Sequence, residues 1–393
     1  MKTTVQVPSD YAPGYEQACA VNPEVAANYI NHMHIGDVGA DALMDGLNEM
    51  SDWTEALEYI QKGMDDPTGE SIKGAPAFIR EFFEDLNQVP DWVDLPSMAD
   101  GIRMFHRNSK TVLASMVAGV LIEGFCTNIA KSFFITGRVR DNGVRRLQNN
   151  NRHMVEIFIP GGLERLGDGW KLSVRVRLMH AQARYLLKTV DDWDHAAWGL
   201  PLSSAHVGFA ISAFSARLIH HMNTLGARFT EEERRSFMKV WRYSGHLMGV
   251  PDTILFQEEK DALELFHIAR MCEPPSMESR AMAHSLVNSA PLLIGMADQD
   301  RKKLSKYVFR VSRALIGDEY ADSLNYPQWR TTGVIPWLRT QNRYQQVMRF
   351  LSERFNRATS FATFSGLLEV SAYEVDGISY KLPNRVYAEE SKY

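Results

Sequence analysis

The sequence predicts an all-α protein, and three observations carry that expectation. Apolar residues recur at intervals of three and four along most of the chain. No run alternates apolar and polar residues for long enough to make a sheet. Proline and glycine clusters fall between the periodic segments, where helices have to stop.

Taken in order, helices are expected near 23–34 and 40–62, the second ended by Asp66-Pro67-Thr68-Gly69. A helix near 76–87 and a long apolar stretch over 96–136 follow. The segment 144–158 is closed by Pro160-Gly161-Gly162, and 170–190 opens after Gly167-Asp168-Gly169. Gly199-Leu200-Pro201 precedes a helix over 202–225. Thr230, with Glu233 three residues on, has the pattern of a capping box opening 230–248, which ends before Val250-Pro251-Asp252. Helices near 255–271, ended by Pro274-Pro275, and near 277–295, 299–316 and 336–357 complete the set. The first 20 residues and the tail after Val370 carry no clear period and are expected to be loosely structured. The expected organisation is an N-terminal helical extension (1–75), a core (76–270) and a C-terminal helical cap (271–393), with no internal repeat.

Composition bounds the function. With 393 residues, 45% of them hydrophobic, the chain can bury a sizeable core. A net charge of −5 leaves no electrostatic footprint for nucleic acid. Cys19, Cys126 and Cys272 are odd in number and far apart, which reads as free thiols in a reducing compartment. The N-terminus has no charged start followed by an apolar run and no twin arginine, so export is not expected and a cytoplasmic location is. The apolar stretch from Thr111 to Ala130 is interrupted by Glu123 and Asn128, and reads as a buried core helix rather than a membrane span.

The most informative region contains Arg145-Arg146-Leu147-Gln148-Asn149-Asn150, then Pro160-Gly161-Gly162-Leu163-Glu164-Arg165, then Arg175-Val176-Arg177-Leu178-Met179-His180-Ala181-Gln182-Ala183-Arg184. One histidine sits between arginines on an apolar helical segment. A buried neutral imidazole flanked by cations suits an iron porphyrin, whose metal needs an axial nitrogen and whose propionates need positive partners.

These blocks, with Trp198-Gly199-Leu200-Pro201 and Gly245-His246-Leu247-Met248-Gly249-Val250-Pro251, resemble the MpaB and rubber oxygenase (latex clearing protein) family. The resemblance covers roughly residues 85 to 260. It implies a globin-like helical core around haem b, and a reaction of dioxygen with an apolar, unsaturated, isoprenoid-like small molecule at its carbon–carbon double bond.

Residue by residue, the resemblance implies His180 as the iron ligand and Arg146 on the oxygen-binding side. The family's lysine and threonine positions are here Asn149 and Asn150, whose amides serve as polar donors to bound oxygen or simply face the helix surface. An asparagine is too poor a ligand to close the sixth coordination position, so an open or water-bound distal side is expected. The family's upstream glutamate falls in Asn128-Ile129-Ala130-Lys131, which has no acid, and Glu123 is the only carboxylate in the apolar helix. It is either the catalytic base or an outward-facing residue, because a lone buried acid must be paired or protonated. Arg177 and Arg184 lie three before and four after His180, so they share its face and are expected to contact the propionates. His246 is expected to be structural more than catalytic.

Other clusters point elsewhere. His32 and His34 are two apart on a helix and face different ways. Glu264-Leu265-Phe266-His267 lacks the second such motif that a di-iron bundle requires. No phosphate-loop, dinucleotide or nucleophile-elbow motif is present. Beside the oxygenase stands one reading of a different class: a non-catalytic haem or apolar-ligand binding bundle that keeps the fold.

Overall fold

The computed structural model describes residues 5–125, 127–136, 143–292 and 298–371; the side chains of 125, 143–147, 292, 298–299 and 361 fall outside that description. Among the described residues there are helices and no strands. The α-helices are α1 (Ala12–Val21), α2 (Pro23–His32), α3 (Val38–Asn48), α4 (Thr54–Asp65), α5 (Ala77–Leu86), α6 (Ala99–Arg107) and α7 (Ser109–Ser115). They continue with α8 (Leu121–Phe125), α9 (Ile129–Ile135), α10 (Gly143–Ile157), α11 (Asp168–Lys188), α12 (His195–Trp198), α13 (Ser204–Ser212) and α14 (Leu218–Thr224). Last come α15 (Glu231–Leu247), α16 (Glu259–Cys272), α17 (Met277–Ser289), α18 (Asp298–Ile316), α19 (Asp318–Ser323), α20 (Val334–Leu351) and α21 (Glu353–Val370).

Local chemistry starts these helices where the sequence said it would. The Asn22 side chain accepts from the first free amides of α2, Asp37 does the same for α3 and Ser203 for α13. Thr230 and Glu233 form the reciprocal capping box that opens α15. Burial then joins the helices. One hydrophobic cluster runs from Tyr11 to Leu367, and α11 lies inside it against α3, α10 and α15. No single helix among the described residues is long and apolar enough to cross a membrane, and the one apolar pair, Ser109–Gly124 with Ile129–Ile135, is bent by 83°.

Several expectations are corrected. The N-terminal residues are not loose: α1 begins at Ala12, and Tyr11 is fully buried, its hydroxyl bonded to His206 and accepting from Asn128 Nδ2. Short side-chain hydrogen bonds and one large aromatic ring, invisible to periodicity, hold it there. The stretch 40–62 is two helices, broken after Asn48. The stretch 96–136 is several, because its register changes through a π-helical turn at Met116–Val120. Helices α12 and α19 were too short to register as a period. Residues 372–393 and Cys126 lie outside the described residues; Cys19 and Cys272 are free thiols.

A close backbone approach joins α6 to α15. A Cβ on Gly101 would stand 2.4 Å from the Phe237 nitrogen and 2.6 Å from its Cα. Those neighbours are backbone and cannot give way. Gly101→Ala is therefore expected to lower stability by about 1–3 kcal/mol, the overpacking cost exceeding the helix propensity gained. A fall in the urea midpoint at unchanged slope would register this; an unchanged midpoint would contradict it.

Candidate functional site

The site is built on the α10–α11 hairpin. Gly169 lies against the Glu156 carbonyl, and the His153 Nε2 is 2.9 Å from the Ser173 Oγ. These two levels show that the helices run antiparallel. The same register carried two turns further from the connection sets the backbone of Arg146 level with His180. The connecting turn is held by Arg165, which donates to Asn87 Oδ1 and to the carbonyls of Gly63 and Met64 while stacking on Trp170 at 3.9 Å. That contact set accounts for the Pro-Gly-Gly-Leu-Glu-Arg block.

His180 is partly accessible as a residue, yet its Nδ1 is fully buried and has no hydrogen-bond partner. Burial pushes its pKa down to about 3, aided by the Arg184 charge and opposed by Asp37. The imidazole is thus neutral with a lone pair to offer. His153, one helix away, is pushed down to about 4 by burial and also touches Ser244 at 3.4 Å.

Arg177 and Arg184 do share the His180 helix, but their guanidiniums are engaged elsewhere. Arg177 makes a bidentate pair with Asp37, Nε to Oδ2 at 2.6 Å and Nη2 to Oδ1 at 2.8 Å, with both side chains less than a tenth exposed. Arg184 pairs with Asp41 through Nε at 2.8 Å and donates Nη1 to the Leu202 carbonyl at 2.8 Å. In this structure these arginines tie α11 to α3. The motif Gly245-His246-Leu247-Met248-Gly249 serves the same joint. Gly249 adopts φ +80°, and a Cβ there would fall 1.9 Å from Asp37 Oδ2. His246 packs at 5.9 Å edge-on to Trp92 and 6.3 Å from Tyr243, a packing role.

Glu123 neither faces out nor stands free: it is fully buried, with Arg217 Nε and Nη2 at 3.0 and 2.8 Å, His221 Nε2 at 2.7 Å and Arg270 Nη1 at 3.1 Å. Burial works against its ionisation, but the His221 ring and the Arg217 guanidinium outweigh burial and hold the carboxyl well below the usual carboxylate range. Two facing π-helical turns, Met116–Val120 and Ala213–Arg217, bring the cluster into register.

Asn149 and Asn150 are half-buried on α10, each with an interaction of its own. The side chain of Arg146 lies outside the described residues. Asn151, next along, was passed over in the sequence reading. It is fully buried, and its amide oxygen and nitrogen both lack a hydrogen-bond partner. A polar residue on the buried face of a helix was the signal that could have found it. Asp37 and Asp41 were also missed; their spacing of four, set opposite arginines spaced by seven, was legible only in hindsight. Among the described residues no three metal-ligating side chains gather, so a metal held by protein alone has no cage here.

Residues 103–352, more than half of the chain, match the family described as "ER-bound oxygenase mpaB/B'/Rubber oxygenase, catalytic domain". The chain belongs to the MpaB and rubber oxygenase family. A rubber oxygenase of Streptomyces sp. (strain K30) is 22% identical over 187 residues, which is 46% of this chain and 44% of that protein. The aligned part thus spans less than half the length of that relative. The structure described as "Structure of Latex Clearing Protein LCP in the closed state" superposes with a TM-score of 0.68, covering 90% of this chain and 95% of that one at 16% identity. That likeness establishes the fold of this family member.

Two outcomes follow from the buried groups. Glu123→Ala leaves Arg217 buried without its counter-charge and His221 without its hydrogen-bond partner, and is expected to cost about 3–5 kcal/mol, read from denaturant unfolding; a loss below about 1 kcal/mol would show the cluster to be hydrated. The second concerns pH. With His180 and His153 held at about 3 and about 4 when folded, the unfolded chain takes up protons first as pH falls. Stability of the ligand-free protein should therefore decline from about pH 6.5 toward pH 4. His153→Leu should flatten part of that decline, and an unaltered profile would remove His153 from the explanation.

Proposed function

We propose that this protein is a haem b-dependent oxygenase acting on an apolar, unsaturated, isoprenoid-like small molecule with dioxygen at a carbon–carbon double bond. His180 carries the proposal: a neutral imidazole, its Nδ1 buried and unpartnered, on the helix where the family resemblance places the iron ligand. An orphaned buried ring nitrogen costs free energy in a protein of protein atoms alone. Such an arrangement fits a group that uses the ring as a ligand. Haem, when bound, supplies the iron that activates dioxygen.

The chain's own residues do the rest. His180 holds the iron, and the Asp37–Arg177 and Asp41–Arg184 pairs fix the helix that carries it. Those pairs leave the propionates to cations other than Arg177 and Arg184. Asn149, Asn150 and the Arg146 guanidinium supply polar donors from α10, where a low-dielectric interior strengthens each hydrogen bond to a developing negative charge. Apolar helices exclude water from the same interior. Glu123 is committed to its cations, so proton removal at an allylic carbon, if the reaction needs it, falls to another group.

That commitment of Glu123, together with asparagines at the lysine and threonine positions, also favours the second reading, a haem or apolar-ligand binding protein without turnover. The pyridine haemochrome of the purified protein is expected to show one haem b per chain, and His180→Ala to lose it or to shift the absorption bands. No haem after expression with added precursor would overturn the oxygenase and leave an apolar-ligand binding protein. Oxygen uptake with a reductant and a panel of isoprenoid alkenes, with carbonyl products, is expected of the oxygenase; bound haem without uptake on any alkene would leave the binding protein.

A further inference from the structure

Helix α20 is apolar on more than one side. Its inner face packs Val334, Ile335 and Leu338 on the core and adds polar anchors: Arg339 Nε donates to the Thr224 carbonyl, Asn342 Nδ2 to that of Leu225, Gln346 Nε2 to that of Gly226 and Arg349 Nη1 to that of Arg107. None of its residues is fully buried. Five further large apolar side chains point the other way. Trp337 is 59% exposed, Tyr344 64%, Val347 55%, Phe350 90% and Leu351 70%. At 100° per residue these five fall on one side of the helix, an arc opposite the polar anchors. Phe355 at the start of α21 continues the patch.

A contiguous apolar face of this size on a folded chain marks a surface that something covers. Charge selects the occupant. Between residues 330 and 357 there are six arginines against Glu353 alone, while the whole chain carries −5. Glu353 is itself paired with Arg357. Arg343 and Arg354 are exposed beside the apolar residues. A second copy meeting this face about a two-fold axis would bring those arginines against their own kind. Lipid phosphates would neutralise them, and tryptophan and tyrosine rings favour the boundary between headgroups and acyl chains.

We propose that the outer face of α20, with the start of α21, is an interfacial docking surface for an anionic lipid bilayer. The helix lies along the bilayer surface; it does not cross it. The test is co-sedimentation of the full chain with vesicles of phosphatidylcholine alone and of phosphatidylcholine mixed with phosphatidylglycerol. The protein should pellet with the mixed vesicles and be released by salt. F350E/L351E should abolish pelleting, and R343Q and R354Q should each weaken it about fivefold, the effect of one basic residue near an anionic surface. All three variants should keep the parent circular dichroism and melting midpoint, since the altered side chains touch solvent. A chain that stays in the supernatant with both vesicles overturns the proposal. So does a dimer at micromolar concentration that F350E/L351E dissociates, because the face then belongs to a second copy.

Discussion

Burying α11 is the constraint on which the rest of the structure depends. The helix must bring an imidazole into the interior, yet the same face carries Arg177 and Arg184, and an unpaired guanidinium cannot be buried. The carboxylates of Asp37 and Asp41 solve this from α3, a helix more than a hundred residues earlier in the chain. The joint therefore recruits the N-terminal region into the core, and it requires a residue without a side chain at Gly249, where α15 gives way to the following turn. Burial keeps His180 neutral, with the Arg184 charge adding to that effect and Asp37 opposing it.

A second buried charge is handled in the same way at the other side of the core. Glu123 lies among Arg217, His221 and Arg270, contributed by three different helical segments. Two helices give up regular α geometry for a π turn so that these groups meet. A π turn forfeits ideal hydrogen bonding and is retained where register matters more than regularity. The result is a carboxylate held ionised in the protein interior.

The α10–α11 hairpin carries the candidate chemistry because it joins two kinds of constraint. Its closed end is rigid, with Arg165 fastening the turn to α4 and to Asn87, and His153 locked to Ser173. Its other end brings the asparagines of α10 toward the level of His180. Rigidity at one end is set against buried polar atoms without partners along the helices, the His180 Nδ1 and the Asn151 amide.

Much was legible in the chain by itself. The recurrence of apolar residues at three and four determined an all-helical protein, the proline and glycine clusters placed most breaks, and the ordered blocks around His180 pointed to the family. Local hydrogen-bonding rules placed the cap of α15, because a cap is set by neighbours two or three residues away. Pairing over long distances was not legible. Whether Glu123 faces solvent or the core, and whether Arg177 and Arg184 reach a ligand or Asp37 and Asp41, depends on which helices pack together, and a periodic pattern says only that a face is buried, not against what. The outward apolar side of α20 is the clearest case. Its sequence reads as an ordinary amphipathic helix, and only the tertiary structure decided which side faces the protein: Val334, Ile335 and Leu338 pack on the core beside arginines and a glutamine bonded to carbonyls near Gly226 and at Arg107, while a second apolar face stays outside.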